Sequence, residues 1–266
     1  MRDLYTACMP DGNSYVALSV VIPAFNEAER IVKTLRSADA YLQKQSHTYE
    51  IIVVDDGSRD RTASVVRELA KTISNVKLLQ FERNKGKGWA VREGMLYANG
   101  RYRLFMDADG STDIAHWDLA RQALDDGADV VVGSRHIQGS QIQVPQTSHR
   151  EALGYLFRTM VRVLFRIPIY DTQNGFKAFG AEAAERIFRR QRVAGWAFDV
   201  EILSIARRLE YALVEVPVTW IDDIRSRMTL RAMPRMLVDL LRIRLRMVQR
   251  RPEYVMHGEQ RLIQLS

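Results

Sequence analysis

"RLFMDADGST", residues 103–112, decides the fold. An apolar run, Leu104 to Met106, ends on Asp107 and Asp109, with Ala108 between them and Gly110 behind. Side chains two apart on a strand leave on the same side. Two carboxylates held that close raise one another's pKa unless a cation neutralises them. A divalent metal does so, and hard carboxylate oxygens suit Mg2+ or Mn2+. A metal held by two acids keeps open positions, which Mg2+ often fills with substrate phosphates. Asp107 and Asp109 are therefore the candidate metal ligands, bridging to a nucleotide diphosphate.

The flanking sequence repeats this design. "ALSVVIP" (17–23), "EIIVVDDGS" (50–58), "VKLLQF" (76–81), "YRLFMDADGS" (102–111) and "ADVVVGSR" (128–135) read as strands. Between them, residues 26–45, 61–73, 88–98 and 116–127 have helical apolar spacing. Continuous apolar runs mean strands covered on both faces, so the expectation is an α/β fold with a mostly parallel sheet flanked by helices. Ligands then bind at the carboxyl ends of the strands. "PAFNE", "DDGS", "RNKGKG", "DADGS" and "GSR" stand at those ends. After residue 136 the pattern changes to a polar loop, amphipathic helices at 150–167, 181–190 and 198–209, and a strand at 213–220.

The bulk numbers agree with a bound anion. The 266 residues carry a formal charge of +7, and 47% are hydrophobic, enough for a sizeable core. Cys8 is the only cysteine, which excludes an internal disulfide and a cysteine-based zinc site. The first twenty residues lack the apolar core of a signal peptide. No window reaches the roughly 18 apolar residues of a spanning helix. The expectation is a cytoplasmic protein, peripheral on the cytoplasmic face of a membrane.

Each strand-end loop has its own chemistry. Asp55 and Asp56 can accept hydrogen bonds from a base or ribose, while Gly57 lets the chain turn and Ser58 can cap the next helix. Asn26 or Glu27 opens a helix whose N-terminus favours anions. Arg83, Lys85 and Lys87 surround two glycines and can bring cations to a phosphate, although neither GxxxxGK[ST] nor GxGxxG is present. The five histidines show no metal-ligand spacing, and GxSxG is missing.

Taken together, "VVIPAFNEAERI", "EIIVVDDGSRDRT", "RNKGKGWAVREGM" and "FMDADGST" resemble the inverting GT-A glycosyltransferases of family 2. "YDTQNGFKAF", "GWAFDVEIL", "VPVTWIDDIRSRM" and "LLRIRLRMV" are similar to the dolichyl-phosphate β-glucosyltransferase branch. The resemblance spans about residues 17–248. It implies a GT-A fold, a nucleotide-sugar donor, a divalent metal and a polyprenyl phosphate acceptor. By position it implies that Pro23, Ala24, Asn26 and Glu27 line the nucleoside pocket. It also implies that Asp55 contacts the base with Asp56 nearby, and that Lys87 flanks the donor. On the same resemblance Asp107, Ala108 and Asp109 should meet the metal and diphosphate, with Asp109 and Asp171 in the catalytic roles. Gly133, Ser134 and Arg135 should line the site, with Arg135 serving the donor. Ser134, Gln173, Lys177, Arg225 and Arg227 should lie toward the acceptor. Trp196, Asp199 and Glu201 match the "WAFDVE" motif. Members of that branch usually carry an N-terminal membrane anchor, which is not read in this sequence.

These readings divide the chain into a glycosyltransferase domain at 1–224 and Arg-rich amphipathic helices at 225–266 on the membrane surface. Between 225 and 251 there are nine Arg, no Lys and one acid, Asp239. Leu237, Leu241, Leu245 and Val248 form an apolar stripe beside Arg235, Arg242, Arg246 and Arg250. Residues 150–166 repeat this, with Phe157, Met160, Val161 and Leu164 against Arg158, Arg162 and Arg166. Basic amphipathic helices of this kind lie in membrane interfaces. The expected reaction moves glucose from UDP-glucose to a polyprenyl phosphate, with GDP-mannose as the alternative donor. A nucleotidyltransferase is the alternative from another class, but its glycine-rich phosphate loop would follow the first strand, where "PAFNE" stands. No nucleic-acid module accompanies the C-terminal arginines, so no nucleic-acid partner is expected. Oligomeric state leaves no mark in the sequence.

Overall fold

The apolar runs form strands and the amphipathic segments between them form helices. The computed structural model describes residues 16–143, 148–221 and 233–249. Leu18–Ala24 (β1), Tyr49–Asp55 (β2), Val76–Gln80 (β3) and Tyr102–Met106 (β4) pair in parallel, in the spatial order β3-β2-β1-β4. They alternate with Ile31–Leu42 (α1), Thr62–Ala70 (α2) and Lys87–Tyr97 (α3), and Trp117–Asp125 (α4) follows β4. The helix expected from residue 26 begins only at Ile31. Before it, Asn26 takes a left-handed φ of 53° and a turn closes on the Glu27 carbonyl.

The sheet is less regular beyond Val130–Ser134 (β5). Gln141–Ile142 (β6), Ser148–Phe165 (α5), Phe176–Gly180 (β7), Ala181–Arg190 (α6), Phe198–Arg208 (α7), Leu213–Pro217 (β8), Thr219–Trp220 (β9) and Met233–Gln249 (α8) follow. β7 runs antiparallel between β4 and β5, giving the order β3-β2-β1-β4-β7-β5-β8. Residues 213–220, expected as one strand, split at Val218. β8 joins β5, and β9 pairs with β6 in a second small sheet.

Because neighbouring residues of a strand face opposite ways, the sheet feeds two apolar layers. Val20, Ile22, Ile51, Val53 and Leu104 share one layer with Ile31, Leu35 and Trp117. Val21, Ile52, Val54 and Phe105 share the other with Ile187, Phe188, Phe198 and Ile202.

The two basic helices differ from one another. α5 buries Phe157 and Val161 in the second layer, so most of its expected membrane-facing stripe is core instead. In α8 a different stripe, Met236, Leu240 and Ile243, enters that same layer, while Leu237, Leu241 and Leu245 stay exposed. α8 thus shares a core with residues before 224, and the expected boundary at 224/225 lies outside the described residues. Among the described residues, no helix is long and apolar enough to cross a membrane.

Candidate active site

The acidic end of β4 faces a cavity of about 930 Å3. That is ample for a nucleotide sugar. Asp107 continues the strand's pairing, its N–H donating to the Gly175 carbonyl (3.1 Å). Its carboxylate meets Lys87 Nζ at 2.6 Å, and Lys87 also lies 5.3 Å from the Trp196 ring centre. Lys87 is the first residue of α3, where the helix dipole disfavours a cation. Burial alone would lower its pKa further, but Asp107, Asp199 and Asp109 outweigh burial and raise it. Asp109 accepts from the Ser111 N–H (2.9 Å). Its pKa is raised, first by burial and then by the charge of Asp107.

The loops after β1 and β2 close the opposite wall. Pro23, Ala24, Glu27 and Asp56 line the cavity. Glu27 holds Arg30 through both carboxylate oxygens at 2.6 Å. Asp56 accepts the N–H groups of Lys85 (2.7 Å) and Gly86 (2.9 Å), so it anchors the basic loop that precedes Lys87. Gly57, at φ 68°, lets this happen: a Cβ there would collide with the backbone of Arg83 and Asn84.

The third wall is absent from the strand-end motifs. Arg192 to Trp196 and, from α8, Arg235, Met236, Asp239, Arg242 and Arg246 line the cavity. Trp196 was legible through "GWAFDVE". The α8 arginines were visible as a basic run, but their facing this cavity follows only from how α8 packs.

Several expected contacts are corrected. Asn26 is outside the cavity wall. Its side-chain oxygen accepts from the Arg59 N–H (2.7 Å) and its N–H donates to Ser58 Oγ (2.8 Å), so it ties the β1 and β2 loops together. Asp55 is fully buried behind Asp56, accepting from the Ser58 N–H (3.1 Å). Ser134 is fully buried in β5. Asp171 is also fully buried, and both its oxygens accept from Arg135, at 2.7 and 2.8 Å. It therefore positions Arg135 and is not available to complete a metal shell. Gln173 is not among the residues lining the cavity; its amide nitrogen lies 4.0 Å from Sδ of Met236, which is. Lys177 is fully buried in β7, donating to Asp199 (2.6 Å) and to the Asn174 carbonyl (2.5 Å), so it cannot meet an acceptor phosphate. Arg225 and Arg227 lie outside the described residues.

The Arg135–Asp171 pair has a pH signature. Burial pushes the Asp171 carboxyl up, but the charge and hydrogen bonds of Arg135 outweigh it and hold it at about 2. A depressed carboxyl stabilises the fold above its unfolded pKa of 3.8 and loses that contribution as pH falls toward 2. The contribution is about 2 kcal/mol. Urea unfolding from pH 5 to 2 should show Asp171→Asn losing less stability over this range than wild type. An equally steep loss would contradict the assignment.

Gly175 gives a second test. A Cβ at this position would overlap both carboxylate oxygens of Asp107. The Asp107 side chain would have to leave the position it holds here beside Lys87. Gly175→Ala should therefore cost activity about a hundredfold, since misplacement on the scale of 1 Å is enough. The melting temperature should move by only a few degrees. Normal turnover in a folded Gly175→Ala protein would show that the Asp107 rotamer does not matter.

The donor set fits a hard divalent cation of a particular kind. Among the described residues, no three His, Cys, Asp or Glu side chains are grouped to hold a metal. Asp107 and Asp109 offer two carboxylates facing open cavity, so a cation here takes its remaining ligands from phosphate oxygens and water.

Comparison with known proteins agrees with this geometry. The glycosyl transferase family 2 profile matches residues 19–188. A dolichyl-phosphate beta-glucosyltransferase of Dictyostelium discoideum is 38% identical over 250 residues, covering 89% of this chain and 76% of that protein. That of Homo sapiens is 36% identical over 244 residues, covering 86% and 75%. Among solved structures, glucosyl-3-phosphoglycerate synthase from Mycobacterium tuberculosis, in complex with Mn2+, UDP and glucosyl-3-phosphoglycerate, superposes with a TM-score of 0.63. It is 18% identical and covers 87% of this chain and 80% of its own, a likeness of GT-A fold alone. A sheet that gathers paired acids, a basic loop and a nucleotide-sized cavity at one edge, together with these relatives, leads to one conclusion: the chain belongs to glycosyl transferase family 2 and is a glycosyltransferase.

Proposed function

We propose that the protein transfers glucose from UDP-glucose to a polyprenyl phosphate of the dolichyl type, with inversion, at the cytoplasmic face of a membrane. The observation that carries this reading is the Lys87–Asp107–Asp109 cluster facing the cavity, in a chain 35–39% identical to proteins named for dolichyl-phosphate glucosyl transfer. The Mn2+ and UDP of the Mycobacterium tuberculosis complex support a divalent cation and a uridine nucleotide in the matching fold. Mg2+ serves as well as Mn2+ by ligand chemistry.

In this mechanism Pro23, Ala24 and Asp56 hold the nucleoside end. Asp107 and Asp109 would hold the cation, which would supply positive charge opposite the leaving diphosphate. Lys87 adds a fixed cation beside Asp107 in a partly buried site, where charge stabilisation is strong. The acceptor phosphate is already ionised at neutral pH, so its oxygen attacks the anomeric carbon without a general base. This fits an Asp171 that is committed to Arg135.

The exposed Leu237, Leu241 and Leu245 of α8 support attachment to a membrane surface. The test is transfer of labelled sugar to short polyprenyl phosphate, with UDP-glucose, UDP-galactose, UDP-N-acetylglucosamine and GDP-mannose offered in parallel. Product from UDP-glucose alone is expected. Product from GDP-mannose alone would move the reading to a mannosyltransferase.

A further inference from the structure

The cavity has more cationic side chains than a donor diphosphate requires. Lys87 serves Asp107 and the diphosphate side. A second group, Arg192, Arg235, Arg242 and Arg246, lines the wall made by α8 and the segment before α7. The family 2 profile ends at residue 188, so all four lie outside the part of the chain matched by that profile.

Glu201 joins this wall into one piece. It is buried in α7 and accepts the N–H groups of Arg192 (2.9 Å) and Val193 (2.6 Å), while its other oxygen lies 3.5 Å from Arg246. Among the described residues, Arg242 makes one long contact, 3.3 Å to Asp239. Its side chain and that of Arg235 are largely exposed at the cavity. Guanidinium groups so placed are matched to a phosphate, which accepts two parallel hydrogen bonds from each.

The faces of α8 select the kind of phosphate. At about 100° per residue, Arg235, Arg242 and Arg246 fall within about 40° of one another. Met236, Leu240 and Ile243 occupy the adjoining core sector. On the other side of the arginines, Val238, Leu241 and Leu245 form an exposed apolar sector. One helix therefore offers phosphate-binding groups to the cavity and, immediately beside them, a surface for hydrocarbon.

We propose that Arg192, Arg235, Arg242 and Arg246 form the subsite for the acceptor phosphate, with the acceptor's apolar chain leaving across Leu241 and Leu245. The proposal rests on the reading of the acceptor as a polyprenyl phosphate. It assigns acceptor recognition to α8, in place of the buried Ser134 and Lys177.

The test uses the full chain, UDP-glucose and two acceptors: a long polyprenyl phosphate in phosphatidylcholine vesicles, and a short, water-soluble prenyl phosphate without vesicles. Arg242→Ala, and Arg235→Ala combined with it, should raise KM for both acceptors about 10-fold or more. KM for UDP-glucose should stay within about twofold, and Arg242→Lys should recover part of the loss. Calorimetric UDP-glucose binding by each variant verifies that the donor site is intact. A rise in donor KM alone would assign the wall to the diphosphate and overturn the proposal. An effect confined to vesicles would assign it to lipid headgroups and also overturn it. Unchanged acceptor KM in variants of an active enzyme sinks this proposal only. Wild type inactive on every prenyl phosphate sinks the underlying reading with it.

Discussion

Asp107→Asn and Asp109→Asn should each lower turnover about a thousandfold, yet they should part company in stability. Asparagine keeps the shape of the side chain and removes the charge that holds a cation against the leaving diphosphate. Losing one preorganised electrostatic contact costs about 10²–10³-fold in comparable sites. Stability separates the two because their partners differ. Asp109 has a raised pKa through burial and the neighbouring Asp107, so neutralising it removes a repulsion. Asp109→Asn should be as stable as wild type or more so. Asp107 is the ion-pair partner of Lys87 at 2.6 Å. Asp107→Asn leaves that ammonium without its nearest carboxylate, at a cost of about 1–3 kcal/mol. Initial rates and urea unfolding on the same preparations decide the matter. Activity within tenfold of wild type would remove either residue from the reaction. Asp109→Asn unfolding more easily would contradict the repulsive pair.

The second large effect is expected away from the cavity wall. Lys177 is fully buried and its carboxylate partner, Asp199, nearly so. Breaking a buried pair by removing one member leaves an uncompensated charge and costs about 3–5 kcal/mol. Asp199→Asn should therefore destabilise the fold by that amount in urea unfolding. Replacing both residues, as in Lys177→Met with Asp199→Leu, should restore most of the loss, because buried pairs exchanged for apolar groups of similar volume are often neutral or better. Activity need not return with stability. Lys177 also donates to the Asn174 carbonyl beside Gly175, whose own carbonyl receives the Asp107 N–H. Asp199 also helps to keep the Lys87 pKa high. A double variant as unstable as Asp199→Asn would show that packing, not unpaired charge, sets the cost.

These two cases mark where sequence reading stops. Asp107 and Asp109 look equivalent in "MDADG", and both were legible as a strand-end acid pair. What separates them is Lys87, brought in from the start of α3. The resemblance of "YDTQNGFKAF" puts Lys177 toward an acceptor, and nothing in the neighbouring residues announces its burial. β7 instead inserts between β4 and β5, and that central position buries its lysine. Asp171 reads as a free acid until Arg135 is seen to occupy both its oxygens.

The sequence by itself determined the alternating strands and helices, the two-sided burial of the sheet and the polar chemistry at its carboxyl edge. Those features are local: apolar runs, helical periodicity and acids at strand ends are read from neighbours in the chain. Tertiary structure alone decided the antiparallel course of β7, the pairing of Lys177 with Asp199 and of Asp171 with Arg135, and the two exposed faces of α8. Each depends on residues 22 or more positions apart, or on which stripe of a helix the core claims. For α8 the sequence offers two apolar stripes of similar length. Burial of Met236, Leu240 and Ile243 turns Arg235, Arg242 and Arg246 into the cavity and leaves Leu237, Leu241 and Leu245 outside.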